Sequence, residues 1–119
     1  MLKKFILMIA IALFAVPAFA ATVVLQWTQV TDPAVTKVNA YHTNAANCTA
    51  LVPQTPAVSP WSLINSVAAP ANTDSFTEFS GTWCWYATAA SATDESVPSN
   101  VVSAKVPLGK PVLSISASP

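Results

Sequence analysis

The chain has 119 residues, with five Lys, no Arg and five acidic side chains, so its formal net charge is zero. Nucleic acid and anionic lipid are held by clustered positive charge, which this composition lacks. Hydrophobic residues make up 53%, with ten prolines and only two glycines. Prolines spread along the chain leave no room for a long helix, and the wealth of Ala, Thr, Ser and Val predicts an all-β fold.

Residues 1–20 have the make-up of an export leader. Lys3 and Lys4 precede an uncharged apolar run, Phe5 to Val16, and Ala18-Phe19-Ala20 offers a small-x-small cleavage site. That run is shorter than the ~20 residues a membrane span needs. Cleavage after Ala20 is expected, with the leader a helix before removal. A domain of residues 21–107 follows, then a tail of residues 108–119. The short Lys-Lys leader is bacterial in type. With Lys3 and Lys4 gone, Lys37, Lys105 and Lys110 face Asp32, Asp74, Glu78, Asp94 and Glu95.

From Thr22 to Trp27 the chain alternates, with Val23, Leu25 and Trp27 on one face, the period of a half-buried strand. Thr31-Asp32-Pro33 suits a turn. Val35 to Thr43 reads as the next strand, with Val38, Ala40 and His42 inward and Asn39, Tyr41 and Thr43 outward. Residues 44–72 are broken by Pro53, Pro56, Pro60 and Pro70; within them Trp61 to Val67 predicts a strand and Cys48 to Val52 a short partner strand. Ser75 to Phe79 follows, with Phe76 inward. Next, Trp83, Trp85, Ala87 and Ala89 share one face of a strand and Cys84, Tyr86 and Thr88 the other. Val102, Ala104 and Val106 are the inward positions of the last strand. The tail, Lys110 to Ser118, alternates again, with Leu113, Ile115 and Ala117 on one side and serines on the other.

The run Gly81-Thr82-Trp83-Cys84-Trp85-Tyr86, the turn Glu95-Ser96-Val97-Pro98-Ser99-Asn100 and a closing strand ending at Pro107 resemble strands F and G of a fibronectin type III domain. The resemblance implies an immunoglobulin-like β-sandwich over residues 22–107, with strands B at 22–27, C at 35–43, C′ at 61–67 and E at 75–79. It is weakest between residues 44 and 72. The family's first strand, A, has no counterpart after Ala20, which leaves the B edge unpaired. Trp83 stands where the family carries a corner tyrosine, and an indole is not expected to replace that hydroxyl's bond to the backbone.

Cys48 and Cys84 are the only cysteines. An even count in a small exported chain predicts one disulfide, stapling the irregular 44–72 segment over the outer face of the C–F sheet. Tyr41, Tyr86 and Trp61 are expected to converge on that face, either as a stacking platform for a glycan or peptide or as a covered second core. Trp27, Trp83 and Trp85 fall on core positions. Chemistry has little to work with. His42 reads as a rim histidine bonded to backbone, Asp94 and Glu95 as solvated turn residues, and no nucleophile elbow or phosphate loop occurs. No catalytic residue, metal site or cofactor is expected.

The function expected is therefore a secreted (periplasmic or extracellular), non-catalytic module that binds a protein or glycan or spaces parts of a surface assembly. It would have no nucleic acid partner and no membrane attachment once the leader is cut. The alternatives are a structural subunit assembling by strand exchange, with self-association, and a small hydrolase or inhibitor.

Overall fold

The computed structural model describes the backbone of residues 9–15, 20–28 and 31–108, and the side chains of residues 22–28 and 31–108. The tail from residue 109 onward lies outside the described residues, as do residues 1–8 and 16–19. Strands β1 (Ile9–Ala15), β2 (Ala20–Trp27), β3 (Lys37–Thr43), β4 (Ser62–Ala68), β5 (Thr73–Phe79), β6 (Gly81–Ala90) and β7 (Val102–Val106) form two antiparallel sheets. One sheet is ordered β1-β2-β5 and the other β4-β3-β6-β7. The fold is all-β.

Period-two alternation builds the space between the sheets. Val23, Leu25 and Trp27 from β2 meet Val38 and Ala40 from β3, and Trp83, Trp85, Ala87 and Ala89 from β6, all buried. Phe76, Ile64, Val67, Val102 and Ala104 close the margins of this core. Trp27 is also tied at its edge, its indole N–H donating to the Ala71 carbonyl at 3.1 Å. Ahead of β3, Asp32 makes the predicted turn by accepting the Ala34 N–H at 2.9 Å.

Three sequence expectations need correction. The apolar leader segment is not helical where it is described. Ile9–Ala15 is a strand antiparallel to β2, in the place the sequence leaves empty. From Ile9 to Leu13 large residues alternate with Ala10 and Ala12, a strand pattern that lies inside the apolar run and ends at Phe14. Cys48 to Val52 is not a strand either; Cys48–Ala50 is a single turn of 3-10 helix. Finally, the Trp83 indole does reach the backbone, donating to the Phe79 carbonyl at 2.9 Å. Only Ser80 separates β5 from β6, and Gly81 turns the chain with φ +134°, a conformation that L side chains rarely adopt.

The Glu-Ser-x-Pro-Ser-Asn turn has a structural purpose. β7 pairs with β6 only from Gly81 to Trp85, and the two serines continue the pairing beyond it. The Ser99 hydroxyl accepts the Ala87 N–H at 2.9 Å and its own N–H donates to the Ala87 carbonyl at 2.8 Å. Ser96 does the same for Ala89, at 2.9 Å and 2.7 Å. Ser96→Ala should leave the buried Ala89 N–H without its acceptor and cost about 1–3 kcal/mol. Urea unfolding checks this; an unchanged midpoint would show that the hydroxyl is dispensable.

Candidate functional site

The outer face of the four-stranded sheet carries the residues singled out by the sequence. Tyr41 and Tyr86 are register partners on β3 and β6, so their rings stack, with centroids 4.8 Å apart and planes 15° apart. Trp61 meets Tyr86 edge-on at 4.7 Å. Cys48 and Cys84 are bonded, with Cα atoms 6.0 Å apart, which holds the segment leading into β4 against this face. Ala45, Leu51, Ala57 and Val101 complete a second apolar cluster. The three aromatics therefore converge, and all are buried: Trp61 is 5% exposed, Tyr41 8% and Tyr86 0%. No ring face is open for a ligand to stack on. The Trp61 indole N–H has no partner among the described residues, a penalty of about 1–3 kcal/mol that the ring's burial offsets.

Beside the stacked tyrosines lies a polar centre that the sequence reading missed. Glu95 is not a solvated turn residue. It bridges Ala90 at the end of β6, and its Oε2 accepts the Tyr41 hydroxyl at 2.6 Å, the Asn39 amide at 3.2 Å and the Thr88 hydroxyl. Burial alone would push its pKa up. The hydrogen bonds from Thr88, Tyr41 and Asn39, with the Lys37 charge, outweigh that and hold it below the ordinary carboxylate value. Burial, then the bond to Glu95 and its charge, push Tyr41 up to about 12. Burial also raises Tyr86, followed by the charges of Tyr41 and Glu95.

These shifts fix two signs. A lowered Glu95 stabilises the fold above the free carboxyl value near ~4.3, and that contribution is lost as pH falls toward and through the folded value. A raised Tyr41 contributes fully below the free phenol value near ~10 and is lost as pH rises through about 12. Glu95→Gln should flatten the acid side of the stability profile. Urea midpoints measured from pH 7 down to pH 3 check this, and parallel profiles for parent and variant would overturn it.

An open cleft of about 740 Å³ borders this centre, lined by Lys37, Asn39, Thr55, Pro56, Asp94 and Val97, among others. Val97 is half exposed. The cleft joins one cation, two carboxylates, hydroxyls and an apolar patch, a mixture suited to a polar ligand with an apolar face.

A second polar centre lies between the sheets. Glu78, 4% exposed, takes the His42 ring nitrogen Nδ1 at 2.6 Å and the Trp85 indole N–H at 3.0 Å. His42 also stacks on Trp83 at 4.8 Å. Its partner is thus a side chain from the opposite sheet, not backbone as expected. Glu78 was legible in principle: if Phe76 points inward, period two carries Glu78 inward as well.

Among the described residues no group of His, Cys, Asp and Glu is arranged to hold a metal ion, and no helix is long and apolar enough to cross a membrane. No family model and no curated protein matches the chain. A solved structure described as "Myokine structure" is similar in fold, with a TM-score of 0.54 at 16% sequence identity, covering 83% of this chain and 94% of that one.

Proposed function

We propose that the chain is an exported, non-catalytic fibronectin type III-like module that binds a protein or glycan or spaces parts of a surface assembly. The observation that carries this reading is the strand order. With β2, β3, β4, β5, β6 and β7 taken as B, C, C′, E, F and G, B pairs with E while C lies beside F and G, as in immunoglobulin-like sandwiches. The Cys48–Cys84 bond supports export, since disulfides persist in oxidising compartments. A non-catalytic role fits the lone histidine, which is occupied by Glu78 and Trp83.

The buried aromatics act in this reading as a second core, and binding falls to the cleft beside Glu95. Val97→Asp and Thr93→Arg change its lining without entering either apolar cluster or removing the Lys37 charge beside Glu95. The test is an array of oligosaccharides and peptides probed with the exported domain and with both variants. Saturable binding by the parent, lost in the variants at unchanged melting temperature, is the expected result. Binding that survives both changes would remove the cleft, and no binding at all would leave only the spacing role.

A further inference from the structure

β1 and the expected leader are the same residues. Ile9 stands opposite Trp27, Ile11 opposite Leu25, Leu13 opposite Val23 and Ala15 opposite Ala21. A cut after Ala20 would strip β1 from the sheet. It would open a row of N–H and C=O groups along β2, flanked by the core residues Val23, Leu25 and Trp27. Such an edge accepts an added strand.

We propose that, once the leader is removed, this edge receives residues 110–118 of a second copy of the chain; the proposal rests on the export reading above. Leu113-Ser114-Ile115-Ser116-Ala117 repeats the pattern of Ile11-Ala12-Leu13-Phe14-Ala15 in the same chain direction: two large apolar residues two apart, then Ala. Set in β1's register, Leu113 falls opposite Leu25, Ile115 opposite Val23 and Ala117 opposite Ala21. Ser114 and Ser116 then fall opposite Val24 and Thr22, which are only half-buried. Pro111 takes the first position of the strand, where a missing N–H is tolerated.

Direction and reach select a second copy over the chain's own edge. The bonds from Trp83 to the Phe79 carbonyl and from Trp85 to Glu78 show that β6 folds back on β5. Because β5 is antiparallel to β2 and β7 to β6, β7 runs against β2, in the direction of β1. The tail therefore leaves β7 at the end of the molecule where a β1-like strand finishes. To enter its own edge antiparallel to β2 it would first have to return the length of a seven-residue strand, ~23 Å. Residues 107–109 span only ~10 Å. An edge on another copy carries no such restriction. Each copy then gives one strand and takes one, a head-to-tail contact that builds rings where it closes and open chains where it does not.

The experiment expresses residues 1–119 with export. It reads the N-terminus of the released protein, and its solution mass across concentration by light scattering. Expected are an N-terminus at Ala21 and a concentration-dependent ladder. Ile115→Asp, which sets a charge against Val23, should collapse the ladder to monomer, and so should an excess of synthetic peptide 110–118. Ser116→Thr should leave the ladder intact. Released protein that keeps Met1 overturns the export reading and the open edge with it. Cleavage at Ala20 with a monomer at every concentration, or a ladder indifferent to both Ile115→Asp and the peptide, overturns strand donation alone.

Discussion

Replacing Trp85 by alanine is expected to lower the unfolding free energy by about 3–5 kcal/mol, the usual cost of emptying a large aromatic site. A domain of this size has only about 5–15 kcal/mol in total, so the variant should be largely unfolded near body temperature. Two features place Trp85 at the high end. It is 0% exposed in the middle of β6, against the inward residues of β2. Its indole N–H is also one of two partners of the buried Glu78 carboxylate. Trp85→Phe keeps an aromatic ring but loses the N–H and the five-membered half of the indole, so Glu78 keeps His42 alone beside a small void. That change should cost about 1–3 kcal/mol. Urea unfolding of both variants, with folding checked by near-UV dichroism, is the measurement. A Trp85→Ala melting curve indistinguishable from the parent's would show that the ring does not pack between the sheets.

The inward face of β6 was legible because alternation over ten residues leaves little choice of register. The same holds for β2, β3 and β7, where apolar positions two apart all enter one core. What the sequence hid was set by contacts between distant residues. Glu95 looks like a turn residue because Asp94 and Ser91 around it are exposed or half-exposed. Yet the bridge to Ala90 swings its side chain over Thr88 and on to Asn39 and Tyr41 of the next strand. No local rule carries that information. The 3-10 turn at Cys48–Ala50 was hidden for a similar reason. The chain there is shaped by its bond to Cys84 and by short backbone bonds, Cys48 N–H to Ala45 and Leu51 N–H to Cys48, rather than by a partner strand.

The leader segment is the instructive conflict. Composition and flanking residues give Ile9–Ala15 the character of a leader, while the large-small alternation from Ile9 to Leu13 suits the edge of β2 that it occupies. Under the export proposal, loss of this strand would leave β2 dependent on whatever next fills its edge. The tail, whose described portion ends at the exposed Leu108, has the matching pattern.

Replacing both Cys48 and Cys84 by serine should cost about 4 kcal/mol if the bond acts by restricting the unfolded chain across its separation of 36 residues. That would be second only to the Trp85 change. The bond closes a loop from the irregular segment onto β6, and the apolar cluster it fastens is small: Tyr41, Tyr86 and Trp61, with Leu51, Ala45 and Ala57 at its margin. Two mechanisms are therefore separable. If the bond acts only on the unfolded chain, amide exchange in β2, β6 and the 45–61 segment should speed up by a common factor. If it also fastens the segment, residues 45–61 should lose additional protection, and the fluorescence of Trp61 should shift to the red as its ring meets water. The second outcome is expected, because the main-chain bonds holding that segment are few and local, and the Tyr86 hydroxyl bond to the Gln54 carbonyl is long at 3.4 Å. Equal acceleration everywhere would assign the whole effect to the unfolded chain. Stoichiometric thiol labelling of the native parent would show that the bond is not formed at all.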